Sequence, residues 1–450
     1  MNIDRFLVGG ALAFSFLTPG SARGQEPSPT PAPAASPSPA ASPAPEATPS
    51  PEASPSTLDD KIEAGEALAK DPRRRLVKWN HYEGQIFTIR VGGGILYEGA
   101  TYAQDEESQA QMALEPEAKV RDARFVFKGR FFPKWKREVT YSLGLMYDGP
   151  SDEFLLRETG IMVAVPELWG HFFIGRTKEG FSLNKVMVGY SGWTQERSTI
   201  NDATIPILAD GIKWLGWLPK QRILWNLGVY TDWLSEGQGF STYDSQLVGR
   251  LAWLPIADEK TRTLLHVGVS GRYGKPNEGE LKLRSRPEAF PADYFVDTGT
   301  FACKDTKMLA LEAYYRPGPL LVGTEYFFQW ASAAEAGNPF FQGGEVVASW
   351  LVTGETRRYN TRGGFFHSVS PARTVFSGGP GAWEAVFRAS YIDLDSGTLK
   401  GGRFWRLTPM VNWHLSDNLR LELTYGYGQL NRFDLSGRTQ FFQSRIQFTF

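Results

Sequence analysis

The chain ends in FFQSRIQFTF, residues 441–450. Side chains of an extended strand alternate between its two faces. Phe442, Ser444, Ile446, Phe448 and Phe450 therefore share one face, and Gln443, Arg445, Gln447 and Thr449 the other. A charge facing lipid near the bilayer midplane costs about 2–4 kcal/mol, so the Arg face must be the wet one and the Phe face the lipid one. This is the reading expected of the closing strand of a transmembrane barrel. In outer-membrane proteins such a terminal aromatic strand also serves as the signal read by the assembly machinery.

The alternation recurs upstream, as in EVTYSLGLMYD (138–148), RILWNLGVYTDW (222–233), SQLVGRLAWLP (245–255) and LRLELTYGYG (419–428). Such runs exceed the roughly 5–6 residues usual in soluble sheets, and aromatics cluster near their ends. Sixteen strands can be placed, at 84–97, 121–131, 138–148, 159–165, 168–176, 209–217, 222–233, 243–254, 262–273, 306–316, 319–331, 344–354, 383–394, 402–415, 419–429 and 438–450. FPKWKR, PEL, PKQ, PIADEKT, PGP and SDN make short turns at one end. Segments 98–120, 177–208, 274–305 and 332–343 make long loops at the other. The expected fold is all-β: a transmembrane antiparallel barrel of about sixteen strands, preceded by a Pro-rich linker and a short helix. Residues 355–382 break the pattern, being long yet on the short-turn side. They are either an excursion at that end or the mark of a local miscount.

Composition narrows the function. The 450 residues carry a formal net charge of −1, with Lys and Arg scattered, which gives no support to nucleic-acid binding. The single cysteine, Cys303, excludes an internal disulfide framework and a Cys-based zinc site. His81, His171, His266, His367 and His414 form no metal-ligand spacing and accompany no catalytic serine motif, so neither an enzyme nor a cofactor is expected.

The N-terminus has its own character. Arg5 precedes the apolar run FLVGGALAFSFL (6–17), followed by Ala22, Arg23 and Gly24. This reads as a signal peptide over 1–24, too short to span the bilayer. Residues 25–56 are a Pro/Ala/Ser-rich linker, a semi-rigid spacer of about 3.1 Å per residue reaching on the order of 90 Å. Residues 57–80 form a short helical segment with Thr57 as cap and Pro72 as break, able to pack against partner helices. The barrel domain is expected over 81–450, in the outer membrane of a Gram-negative-type bacterium, with the N-terminal segment in the periplasm and in reach of the cell wall.

Alternation also assigns the lumen. It places Arg90, Arg124, Lys128, Arg130, Arg250, Arg272, Arg316, Arg388, Arg406, Arg420 and Arg445 inside, with Asp122, Asp148, Asp232, Glu312, Glu325, Glu384 and Glu422. A lumen rich in Arg lowers the cost of bringing in an anion, and guanidinium suits phosphate oxygens. The plainer alternative is that these arginines pair with carboxylates across strands.

Several stretches carry a family likeness: SWLVTGETRRYN (349–360), GGPGAWEAVFRASYIDL (378–394), NWHLSDNLRLELTY (412–425), the terminal Phe450, RDARFVFKGRFF (121–132), IGRTKEGFSL (174–183) and QERS (195–198). Over about residues 84–450 the chain resembles the phosphate-selective porin O and P family of outer-membrane channels. The resemblance implies a trimeric sixteen-stranded barrel. It also implies that the loop after the fifth strand, residues 177–208 with Lys178, Lys185 and Arg197, folds inward and carries anion selection with the adjoining walls. The inward acids are a departure from the family's strongly basic lumens.

The expected function is passive diffusion of small hydrophilic solutes with a preference for anions such as phosphate. The partners are outer-membrane lipid, small anionic solutes and two further copies of the chain. The alternative is a general or weakly selective porin whose tether links the outer membrane to the cell wall.

Overall fold

The computed structural model describes residues 80–148, 153–187, 189–234 and 243–450. The signal peptide, the linker and all but the last residue of the 57–80 helix lie outside the described residues.

Sixteen antiparallel staves close into a barrel. They are β1 (Thr88–Gln104), β2 (Glu117–Phe131), β3 (Val139–Asp148), β4 (Glu153–Leu156 continued by Thr159–Val165), β5 (Gly170–Thr177), β6 (Ala209–Leu218), β7 (Ile223–Thr231) and β8 (Tyr243–Asp258). Then come β9 (Thr263–Pro276), β10 (Asp305–Pro317), β11 (Leu320–Ser332), β12 (Phe340–Leu351), β13 (Ala382–Ser396), β14 (Leu399–His414), β15 (Leu419–Arg432) and β16 (Leu435–Thr449). Each pairs with the next. β16 returns to β1, from Gly94 opposite Thr449 to Gln104 opposite Thr439. Closure removes the free edges that no lipid could satisfy. A short segment, His81–Glu83, folds back on the start of β1.

The inside-outside alternation holds along the last strand. Phe442, Ile446 and Phe448 are exposed on the outer face, whereas Gln443, Arg445 and Gln447 are buried inside. The outer face elsewhere presents Tyr97, Phe125, Trp253, Leu311, Trp350 and Phe387. Such an apolar exterior is stable only against hydrocarbon.

Several boundaries differ from expectation, most of all at the first connection. β1 runs on to Gln104, and β2 begins at Glu117, so part of segment 98–120 is wall. Its small residues Gly99, Ala100 and Thr101 lack an apolar signature yet pair fully with Ser444, Gln443 and Phe442. At the long-loop end the last two connections are tight hairpins. The β15–β16 turn places Phe433 and Asp434 at φ of 56° and 61°, the doubly left-handed turn whose twist suits adjoining strands. Residues 352–381 are a true excursion at the short-turn end, and the sixteen-stave count stands.

Three connections fill much of the barrel. Residues 178–208 fold inward, burying Phe181, Leu183, Trp193, Ile200 and Ile205. From the same end comes a hairpin, Glu280–Ser285 with Val296–Ala302, which buries Phe290 and Phe295. The excursion enters from the opposite end with a small hairpin, Tyr359–Asn360 with Phe365–Phe366. Its Phe366 ring lies 6.2 Å from that of Trp193, so segments from the two ends touch inside the barrel.

Candidate permeation path

The lumen has two unlike walls. From β8 to β16 the inward arginines are buried and bonded. Arg250 stands 2.6 Å from Glu312 and donates to the Gly364 carbonyl at 2.8 Å. Arg272 donates to Glu179 at 2.9 Å, and Arg316 donates to the Arg357 carbonyl. Arg388 pairs with Glu288, lies 3.5 Å from Glu345, and donates to the Glu196 carbonyl at 2.7 Å. Arg406 donates to Gln443 and lies 4.4 Å from the Phe441 ring centre. Arg420 pairs with Glu422 and donates to the Gly192 carbonyl at 2.7 Å. Arg445 bridges Glu98 and Glu196. A guanidinium taken out of water needs a charge partner and further acceptors. The inserted segments supply many of both, through Glu179, Glu196, Glu288 and a series of carbonyls.

The excursion is held the same way. Arg357 donates through Nε and Nη2 to Glu384 at 2.9 and 2.7 Å, and through Nη1 to the Ser191 carbonyl at 2.9 Å. Tyr359 Oη is 2.7 Å from His266 Nδ1, whose Nε2 is 2.8 Å from Glu312.

The inward loop staples itself with its cations. Lys178 Nζ donates to the Met187 carbonyl at 2.7 Å, Lys185 Nζ to Ile205 at 3.0 Å, and Arg197 Nε to Asn184 at 3.2 Å. Burial, with Arg197 nearby, pushes the Lys178 ammonium well below its usual range, and Glu158 opposes this. The same causes bring Lys185 down to about 7 against the pull of Asp202 and Glu179. Burial alone would raise the Glu196 carboxyl, but Arg121 and Arg445 hold it down at about 2. Tyr190 of this loop donates to Asp122 at 2.9 Å and to the Gly94 carbonyl at 3.0 Å. Glycine is needed at 94, because a Cβ there would meet the Tyr190 ring at 2.7 Å.

The β1–β7 wall is looser, apart from the buried Arg176–Asp210 pair between β5 and β6. Arg90 is half-buried near the short-turn end, in register with Lys128. Arg124 pairs with Asp122 beneath the Tyr190 ring, 4.5 Å from its centre. The Arg130 side chain is 42% exposed, 3.5 Å from Glu138. Between this wall and the inserted segments lies a cavity of about 170 Å³. Lys128, Lys178, Lys213 and Arg362 line it, with Glu158 the one carboxylate and His367 at its side. Lys213 donates to Thr177 Oγ1 at 2.7 Å and lies 5.2 Å from the Phe173 ring centre.

The structure thus divides the fourteen cations named from the sequence, with Lys185 and Arg197 bonded within the inward loop and Arg316 buried on the sealed side. Lys128 and Lys178 meet at the cavity. Arg90, Arg124 and Arg130 stand on the same side of the barrel, while Arg250, Arg272, Arg388, Arg406, Arg420 and Arg445 lie within the sealed side. Sequence reasoning missed Glu98, which it assigned to a loop, and Glu345 and Lys213, whose inward parity was readable. It gave no signal for Glu288, Arg357 or Arg362, whose places depend on loop conformation.

The sequence model of the family described as phosphate-selective porin O and P matches residues 90–450. A curated relative from Caulobacter vibrioides, described only as an uncharacterized protein, is 28% identical over 184 residues. The match covers 40% of this chain and 36% of that protein's length. Among solved structures, the loop-deletion form of OmpT, an outer membrane protein of Vibrio cholerae, aligns with a TM-score of 0.53 at 12% identity, over 81% of this chain and 100% of that one. The trimer form of OmpT aligns at 0.51 and 11%, with the same coverage. An anion-selective porin from Comamonas acidovorans aligns at 0.50 and 12%, again over 81% and 100%. At these identities the likeness is one of fold.

Proposed function

Because the chain belongs to the phosphate-selective porin O and P family and is an outer-membrane channel, we propose that it conducts small anions passively along the β1–β7 side of its lumen. The observation that carries this reading is the cavity charge: Lys128, Lys213 and Arg362 against the single carboxylate Glu158, with the Lys178 amine as a further donor. Fixed cations in a narrow, poorly screened passage lower the barrier for anions and raise it for cations. Of the buried arginines of the opposite wall, Arg250, Arg272, Arg388, Arg420 and Arg445 are matched by carboxylates, and Arg316 and Arg406 by a carbonyl and an amide, so they hold the inserted segments and leave selection to the basic side. No step is chemical, and no energy source is coupled.

That one structural neighbour is an anion-selective porin and another a trimer form supports the same picture, with three copies side by side in the membrane. The described chain enters β1 at the short-turn end, and short turns of such barrels face the periplasm. Residues 25–80 would then stand in the periplasm.

Planar-bilayer recording under a salt gradient tests the reading. Stepwise conductance is expected, with a reversal potential on the anion side that moves toward zero in Lys128→Gln/Lys213→Gln. A cation-selective channel, or selectivity unmoved in that double variant, would refute it.

A further inference from the structure

Three glutamates stand in a row across the lumen wall. Glu312 on β10 is the register partner of Glu325 on β11, and Glu325 that of Glu345 on β12. All point inward and are buried. Like charges directly opposite one another on neighbouring strands repel, and buried carboxylates need donors. The outer two have cations: Arg250 at 2.6 Å for Glu312, beside the His266 ring at 2.8 Å, and Arg388 at 3.5 Å for Glu345. Glu325, in the middle, has no cationic group within 4.0 Å among the described residues.

The inward loop answers the row instead. Ser182 Oγ donates to Glu325 Oε2 at 2.6 Å and the Asn184 amide to Glu325 Oε1 at 2.9 Å. The Leu183 amide donates to Glu312 at 2.7 Å, and Asn184 Nδ2 donates to Glu345. Three consecutive residues thus send four donors to three carboxylates. Space has been kept for this: a Cβ at Gly268 would meet the Glu312 Oε1 at 2.4 Å. Ser182 is held in a left-handed conformation, φ 63°, with its amide bonded to Ser270 Oγ at 3.1 Å. A non-glycine residue in that region is strained and stays there only when its surroundings insist.

We propose that this carboxylate row is the seat that fixes the inward loop, with Glu325 as the positioning residue that sets the bore. The proposal rests on the permeation path above, since Lys178 and Lys185 flank the seat and a shift of the loop would move the cations beside the cavity. Loss of the seat frees the strained Ser182 to relax, and the loop then leaves the wall.

The test uses the full-length protein with Ser182→Ala, Glu325→Ala, Glu325→Gln and the Ser182→Ala/Glu325→Ala pair. Two readouts are taken: amide hydrogen exchange of residues 178–187 in detergent, and single-channel conductance with closure frequency. Loss of one buried hydrogen bond should make exchange in the loop about fivefold faster. Closures should be more frequent, and Glu325→Gln should fall between wild type and alanine because an amide presents one acceptor where two are used. The double variant should be less affected than the sum of the singles. If Glu325→Ala does not assemble, Ser182→Ala, which removes one hydroxyl, decides alone. Wild-type exchange and conductance in Ser182→Ala would overturn the proposal. A wild-type protein that does not conduct would sink the channel reading, yet the exchange measurement would still judge the seat.

Discussion

Arg445 on the last strand and Glu98 on the first are register partners across the seam that closes the barrel, with Arg445 Nε 3.0 Å from Glu98 Oε2. The guanidinium also reaches Glu196 of the inward loop. One side chain therefore joins the first strand, the last strand and the lumen filling.

Replacing Arg445 with Met should leave Glu98 buried without its cation and cost about 3–5 kcal/mol of stability. Urea or heat titration of the folded barrel, followed by its gel mobility, measures this. An unchanged midpoint accompanied by lost anion selectivity would make Arg445 a pore cation and not a clasp.

Glu158→Gln should act in the opposite sense to loss of a cavity lysine. It removes the carboxylate facing Lys128, Lys178 and Lys213. One unit charge a few ångströms from an ion in water is worth about 1 kcal/mol, or about fivefold in the anion-to-cation permeability ratio. A reversal potential shifted toward cations would contradict the assignment of the path.

Anion preference should weaken as pH rises. Lys185 sits at about 7, below the ordinary lysine range, so it sheds its proton within the folded loop near neutrality. From about pH 6 to about pH 8 the lumen loses this positive charge, while the fold gains stability because the unfolded chain still binds the proton. Lys185→Met should flatten both trends. Selectivity constant over this range in the wild type would count against a role for Lys185.

Gly94→Ala should push Tyr190 off the wall, since its ring lies 2.7 Å from the added carbon. Overpacking of this kind costs about 1–3 kcal/mol. The measurable consequence is an altered single-channel conductance together with a lower unfolding midpoint. Wild-type values for both would show that the loop yields without strain.

Deleting Phe450 should reduce the amount of inserted barrel more than the conductance of each channel. Its amide and carbonyl each bond Gly93 at 3.0 Å, at the edge of the seam and away from the cavity. Counting folded protein in the membrane fraction against current per channel separates the two effects.

Strands were legible because lipid imposes a period of two that needs no knowledge of the partner strand. Arg445, Glu422 and Phe448 all fell on the expected faces. The wall at Gly99 and Ala100 escaped because small residues carry no apolar signature. The partition of the arginines was less readable. Parity says that Arg388 points inward, but Glu288, a hundred residues distant, decides whether it meets water or a carboxylate. Lys213 was readable by parity and overlooked, whereas Arg362 reaches the cavity only because the excursion folds back into the barrel.

The contact of Phe366 with Trp193 and of Arg357 with the Ser191 carbonyl also makes the filling depend on the whole wall. The inward loop and the excursion that meets it enter from opposite ends, and the seam closes only with the last strand. A chain halted after β12 would hold its loop without the counterpart from the other end. Quality control at the membrane therefore has reason to read the final residues: a barrel admitted before they arrive would be a leak, not a filter.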